Sequence, residues 1–472
     1  YVRLKRRSSV SILKEVRFTS EKKYSYVDVI DDKKKYRYVK GAPEVLLKYT
    51  NRYLDEEGFK KLLFQQENIL KKVNDLTKKG IRVLAVCYSE NCSSTLSDLI
   101  LVGFLLIKDD IREEAYEGVR LIQHAGVQTV MITGDNLGTA SSIAREVGIL
   151  DDEKVILSSS ELSSLSDSEV EKILPKLAVL YRALPKDKSR LVNIAKGMNL
   201  VVGMTGDGVN DAIALKRADV GFAMGSGTEV AKEAADIVIL DDNISSIASS
   251  ILYGRTIFKS IRKFIIFQLT VNLCAVTISI VGPFIGIGAP VTVIQMLWIN
   301  MVMDTLAGLA FSFEPPLKEY MEESPKKREE KIINRYMLNE ILVTGIYSSL
   351  LCLLFLKLPL ISNCFRKSLD NRYLLTAFFG LFIFISIFNS FNARTVRLNI
   401  LSNIFKNKMF IAVTLFIVIV QIVMIYYGGN LFRTSGLLPQ EFFIMLMISF
   451  SVIPIDFLRK MIYQKFNFKV EI

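Results

Sequence analysis

The stretch GMTGDGVNDAIALKRADVGFAMG, residues 203–225, decides how this chain is read. The run LVVGM at 200–204 leads into it, short and apolar as a buried strand is. The strand breaks into Thr205-Gly206-Asp207-Gly208, and Asp207, Asn210 and Asp211 then fall within five positions. Gly206 and Gly208 let the backbone turn tightly and direct N–H groups at an anion. A carboxylate at such a strand end suits Mg²⁺, which takes one or two carboxylates and completes its shell with phosphate oxygens and water. An ordinary polar turn between strand and helix would read the same way if it stood alone. It does not: VQTVMITGD at 127–135 ends a second strand in the same Thr-Gly-Asp. Lys188, in LPKDKSRLV, lies between the two and offers a cation to a phosphoryl group. Two strand ends and a lysine together point to phosphate chemistry.

Working outward, residues 100–245 alternate strand-like runs (ILVGFLLI, VQTVMITG, LAVLYRA, LVVGMTG, VGFAM) with helical stretches such as 112–125 and 137–147. That alternation implies βαβ units and a parallel sheet, with ligands at the carboxyl ends of the strands. Both Thr-Gly-Asp turns fall at such ends and so can face one site. Residues 1–95 have a different rhythm: YSYVDVI, then KYRYVKGAPEVLLKY, a helical stretch at 56–80 and the strand IRVLAVCY. This reads as an antiparallel sheet with helices, incomplete at its N-terminal side.

Half of the 472 residues are apolar, and they are unevenly spread. From about residue 261, apolar runs near the length that spans a bilayer core predict six membrane helices, at 262–283, 291–313, 338–358, 372–390, 409–427 and 438–457. Basic residues precede the first helix (Arg255, Lys259, Arg262, Lys263) and recur after the second (Lys326, Lys327, Arg328, Lys331), after the fourth (Arg394, Arg397, Lys406, Lys408) and after the sixth (Arg459, Lys460). Arg366, Lys367, Arg372 and Arg433 break the pattern, but the bias places the soluble half and the C-terminus in the cytosol. The formal net charge of +12 is accounted for by these loops. No basic stripe interleaved with aromatics supports a nucleic-acid partner.

The five cysteines (Cys87, Cys92, Cys274, Cys352, Cys364) are scattered without a C-x-x-C pair, which speaks against a zinc site or disulfide framework and fits a reducing cytosol. His124 is the single histidine, so His-based metal sites and Ser-His-Asp catalysis are excluded. The chain starts at Tyr1 and reads as a piece of something longer.

MITGDNLGTASSIAREVGI at 131–149 and MTGDGVNDAIALKRADVGFAMGSGTEVAKEAADIVILDDN at 204–243 resemble the P-type cation-transporting ATPases. KGAPE at 40–44 resembles that family's nucleotide-domain motif, so the resemblance covers essentially the whole chain. It implies three domains: the C-terminal part of a nucleotide-binding α+β domain at 1–97, a HAD-like parallel-sheet phosphorylation domain at 98–245, and an all-α transmembrane domain of six helices at 246–472. It implies ATP and Mg²⁺ as cofactors, the lipid bilayer as surroundings and a cell-membrane location. By position, Asp207 matches the Mg²⁺ ligand, with Asn210 and Asp211 as its supporting pair. Thr133, Gly134 and Asp135 match the loop that holds the aspartyl phosphate, and Lys188 matches the phosphate-binding lysine. Phe18, in RFTSEKKYS, resembles the adenine-stacking aromatic, with Lys23, Lys40, Gly41 and Arg82 around ATP.

The chain also departs from the family. Ile213 stands where a proline is usual, and DDIR at 109–112 replaces DPPR while keeping Asp109 and Arg112. No DKTG occurs, so the phosphorylated aspartate is expected upstream of residue 1, and this portion is expected to be inactive by itself.

Six helices after the phosphorylation domain suggest a type II cation pump. FQLTVNLCAV and QMLWINMVMDTLAGLAFSFEPP resemble the plasma-membrane kind of calcium pump. A carboxylate in mid-membrane usually marks an ion path. Asn300 and Asp304, four apart, share a helix face, and Asn272 can approach from the preceding helix. Hard oxygen donors of this sort suit Ca²⁺ as the transported ion. The asparagines can instead serve only to bond helix to helix. Ala275 replaces a glutamate of the two-site pumps, Met303 a threonine, and 372–390 holds no carboxylate, which implies one calcium site. No calmodulin-binding tail is expected from the short stretch after the last helix. A pump for Mn²⁺, Na⁺ or H⁺, and a nucleotide-binding membrane remnant without catalysis, remain as the other readings.

Overall fold

The computed structural model describes residues 10–466 except 20–21, 32–33, 79–80, 91, 93–94, 108–109, 287–289 and 369, so Asp109 lies outside the described residues. It divides into two compact units: Tyr1–Ala248 with Ser324–Arg328, and Ser249–Glu323 with Glu329–Ile472.

The first unit opens with seven strands: β1 (Ser11–Val16), β2 (Tyr24–Asp31), β3 (Lys34–Gly41), β4 (Thr50–Leu54), β5 (Lys60–Leu62), β6 (Arg82–Ser89) and β7 (Leu99–Ile107). They form one sheet in the order β1-β2-β3-β6-β7-β4-β5. All neighbours are antiparallel except β4 and β7. On β6 the alternation is strict: Val83, Ala85, Cys87 and Ser89 face in, and the residues between them face out. The inner face of β3 carries Arg37, which is buried only because its Nε donates to Asp28 Oδ1 at 2.6 Å.

One strand sits elsewhere than its sequence suggests. ILVGFLLI was read as the first strand of the parallel region, but as β7 it runs antiparallel to β6, from Arg82↔Ile107 to Tyr88↔Ile100. β7 lies between β6 and β4 and buries Leu99, Ile100 and Leu101 but leaves Val102 and Leu105–Ile107 exposed, so an apolar run by itself does not tell a parallel strand from an antiparallel one.

The rest of this unit contains β8 (Met131–Ile132), β9 (Val155–Ser158), β10 (Leu177–Tyr181), β11 (Gly203–Gly206), β12 (Val220–Met224) and β13 (Ile237–Ile239). All pairings are parallel, as the alternation with helices requires, but the strands form two sheets, β8-β10-β9 and β11-β12-β13. The helix Pro185–Gly197 serves both. Its Leu191 and Ile194 join the core under the first sheet, and its Val192 joins Met204, Ala214 and Ala223 under the second. Each such leucine or isoleucine contributes about 1.5–3 kcal/mol on burial. This helix therefore ties the two sheets together.

The second unit is all helix. Among the described residues, six helices are long and apolar enough to cross a membrane: Ile244–Phe284, Val293–Ser312, Arg335–Lys357, Arg372–Arg394, Lys408–Tyr427 and Pro439–Lys465. The fourth is the central one, with every residue from Thr376 to Ile387 buried. Lys263 at the first helix donates to Glu314 Oε2 at 2.8 Å, so one of the basic residues that orient the chain is also a buried ion-pair partner.

Candidate functional site

The 203–211 turn is built around Asp211. Its carboxylate is buried and accepts from Lys188 Nζ at 2.6 Å on Oδ1, while the Gly208 N–H lies 3.4 Å from Oδ2. Gly206 is required by this packing, because a Cβ there would stand 2.4 Å from Asp211 Cβ. The Asp207 carbonyl accepts from the Thr228 N–H at 2.8 Å, which pins the backbone while the residue stays exposed beyond the end of β11. Asn210 is exposed beside it, and Ile213 is the exposed second residue of the helix Ala212–Arg217.

The other Thr-Gly-Asp turn is closed on itself. Thr133 Oγ1 donates to Asp135 Oδ2 at 3.0 Å and accepts from the Asp135 N–H at 3.1 Å. It is stitched to the strand beside it: the Ala183 N–H donates to the Thr133 carbonyl at 2.9 Å, and the Arg182 N–H to that of Asp135 at 3.0 Å. The chain then enters the helix Pro185–Gly197, where Lys188 reaches Asp211. The helix start is held by Asp187, buried and not singled out in the sequence. Its Oδ2 accepts from Ser159 Oγ at 2.6 Å and from the Leu184 N–H at 2.9 Å. Asp187 sits three residues into a Pro-started helix, where an acidic side chain caps free N–H groups, and that position was its only signal. Arg112 donates to the Asp242 carbonyl at 3.0 Å.

The residues expected around a nucleotide lie on the seven-stranded sheet. The Ala42 N–H donates to the Lys23 carbonyl at 2.9 Å, and a Cβ on Gly41 would stand 2.6 Å from Tyr24 Cβ. Lys23 and the KGAPE turn are thus held side by side, with Lys23 Nζ 3.5 Å from Glu44. Lys40 and Arg82 both project from the outer face, Lys40 in register with Val86, four residues and about 13 Å along β6 from Arg82. Tyr38 and Tyr88 share that face with ring centroids 6.4 Å apart. The sequence reading passed over them, since strand tyrosines alternate like any others. Phe18 stands in the connection between β1 and β2, more than half exposed.

In the membrane unit, Asp304 is buried and its Oδ2 accepts from Gln268 Nε2 at 2.6 Å. Asn272 and Asn300 are exposed. The helices carrying them run antiparallel. Lys263 meets Glu314, Phe267 meets Phe311, a Cβ on Gly308 would stand 3.4 Å from the Phe264 ring, and Gln268 meets Asp304. Asn272 follows Gln268, and Asn300 precedes Asp304, by four residues on the same two helices. The turn before Asp304 is a π-helix, Trp298–Met303, an irregularity that recurs at functional sites. Gln268 was not singled out in the sequence, although it lies one α-turn before Asn272 in the helix Ile244–Phe284.

Comparisons with known proteins match three parts of the chain. Residues 3–114 match the family model for the P-type ATPase cytoplasmic domain N, 193–251 that for haloacid dehalogenase-like hydrolases, and 288–462 that for the cation transporting ATPase C-terminus. The chain is thus similar to P-type cation-transporting ATPases in successive parts of its sequence, and it is a multi-pass membrane protein. Among its relatives, calcium-transporting ATPase PAT1 of Dictyostelium discoideum is 35% identical over 97% of this chain and 45% of its own length. The probable calcium-transporting ATPase 8, plasma membrane-type, of Oryza sativa subsp. japonica is 37% identical over 85% of this chain and 40% of its own. Calcium-transporting ATPase 8, plasma membrane-type, of Arabidopsis thaliana is 36% identical over 91% and 43% respectively. The chain thus spans less than half the length of these relatives.

Proposed function

We propose that this chain forms part of an ATP-driven calcium pump of the cell membrane that works through an aspartyl-phosphate intermediate. The observation that carries the reading is the link from the Thr133–Asp135 turn through the helix Pro185–Gly197 to Lys188 and Asp211. It connects two strand-end turns of phosphate-binding type through one rigid element, which is the preorganisation phosphoryl transfer needs. Thr133, Gly134 and Asp135 hold the phosphoryl group. Lys188 neutralises it, and Asp211 fixes the lysine. Asn210 orders the turn. ATP is held on the outer face of the seven-stranded sheet by Lys40 and Arg82, with Phe18 against the base and Lys23 and Gly41 shaping the turn beside it.

The residues fit a Mg²⁺ ion. Among the described residues no cluster of three acidic or sulfur side chains makes a protein-only cage, and Asp207 offers one exposed carboxylate at a glycine turn. A single carboxylate is what Mg²⁺ takes from a protein when phosphate and water complete its shell. When bound, Mg²⁺ supplies charge neutralisation for the phosphoryl oxygens.

The transported ion is Ca²⁺, taken at one site by Asp304, Asn300 and Asn272, with the soluble domains and the C-terminus in the cytosol. Asp304→Asn in the full-length protein tests this. The expected result is a rise in the free Ca²⁺ needed for phosphoenzyme formation from ATP, and a matching loss of Ca²⁺ suppression of phosphorylation from inorganic phosphate. An unchanged Ca²⁺ midpoint moves the ion site elsewhere. A response to Na⁺ or Mn²⁺ in place of Ca²⁺ makes this a pump for that ion.

A further inference from the structure

The rung between the first two membrane helices contains two oxygens that nothing in the fold satisfies. Among the described residues, Gln268 Oε1 and Asp304 Oδ1 are both shielded from solvent and have no hydrogen-bond partner. Their own contact determines which ends these are. A carboxylate only accepts, so the end of the Gln268 amide turned to Asp304 at 2.6 Å is the N–H end, and the carbonyl end is turned away. Here one N–H of the amide is spent on the carboxylate, and the rung keeps two buried oxygens with free lone pairs. Buried oxygens without a hydrogen-bond donor suit a cation. Asn272 and Asn300 are two more amides on the same pair of helices.

We infer that Gln268 is a ligand of the transported cation through Oε1, while its Nε2 fixes the Asp304 carboxylate. This rests on the reading of Asp304 as the cation-binding carboxylate. A Ca²⁺ ion takes six to eight oxygens from flexible donors, carbonyls included. Gln268 adds a neutral oxygen one turn from Asn272, and so enlarges the oxygen set without adding charge. The π-helix Trp298–Met303 fits this role, since it lies immediately before Asp304.

The test uses the full-length protein in membrane vesicles, with Ca²⁺ as the probe. Phosphoenzyme from ATP is measured against free Ca²⁺ for wild type, Gln268→Met, Gln268→Glu and Asp304→Asn. Nucleotide binding, read at the separate seven-stranded sheet, controls for folding. Methionine keeps the length and packing of glutamine but removes the oxygen, so Gln268→Met is expected to raise the Ca²⁺ midpoint roughly tenfold or more. Glutamate loses the N–H that holds Asp304 but keeps an oxygen for the cation, so Gln268→Glu is expected to shift the midpoint less than Gln268→Met. A wild-type midpoint in Gln268→Met overturns the inference, provided Asp304→Asn shifts. Equal shifts in Gln268→Met and Gln268→Glu also overturn it, because an oxygen at this position would then make no difference. An unshifted Asp304→Asn overturns the underlying reading of the site instead.

Discussion

Gly206→Ala adds one methyl group and tests the cytosolic site most directly. The new Cβ would stand 2.4 Å from Asp211 Cβ and 2.8 Å from its Cγ, whereas real Cβ atoms essentially never come under 3.0 Å. Asp211 cannot simply swing away, because it is buried and its Oδ1 holds Lys188 Nζ at 2.6 Å. Overpacking of this kind costs about 1–3 kcal/mol. Loosening a hydrogen bond between charged groups costs about 1.5–3 kcal/mol. One movement of Asp211 underlies both, so the costs overlap, and a total of about 2–3 kcal/mol is expected. For a unit of this size that lowers Tm by roughly 5–10 °C. Displacing Lys188 by a fraction of an ångström is expected to lower phosphoenzyme formation by roughly tenfold to a hundredfold. The assay is acid-stable phosphoenzyme from ATP in the full-length protein, with a thermal melt of the same preparation. Gly203→Ala, in the same strand, is the control, since its Cβ would meet the Phe222 ring at an ordinary 3.5 Å. A Gly206→Ala protein with wild-type melting and phosphorylation would refute the claim that this glycine exists to seat Asp211.

Asp207→Asn is expected to abolish Mg²⁺-dependent turnover while ATP still binds at the seven-stranded sheet; hydrolysis at the wild-type rate would make the 203–211 cluster a structural turn. Burial pushes the Cys87 thiol up to about 11 from 9.0, although a contact with Thr50 pulls the other way. At pH 8 a maleimide is therefore expected to label exposed Cys364 and leave Cys87 untouched in the folded protein, and equal labelling by mass spectrometry would contradict the burial. Because the unfolded thiol ionises first, stability from this group is complete below pH 9 and declines as the pH rises towards 11.

Local signals carried much of this molecule. The Thr-Gly-Asp turns, the glycines around Asp207 and Asp211, the six apolar spans and the strand–helix alternation are patterns of neighbours along the chain, and local sterics and burial decide them. Thus all six membrane helices and the parallel pairing of four strands between 127 and 224 were legible without coordinates, while Val155–Ser158 and Ile237–Ile239 were not read as strands. What the sequence could not show was which elements meet. An apolar run such as Leu99–Ile107 fits a parallel or an antiparallel strand alike, so only the sheet reveals that it pairs antiparallel to β6. Asp211 reads as a metal-site helper until packing sets it 2.6 Å from Lys188, 23 positions away. Gln268 reads as one polar residue of a membrane helix until the antiparallel register lays it against Asp304. Periodicity identifies the face of a helix or strand, but the partner of that face depends on side-chain contacts between distant segments, and those exist only in the tertiary structure.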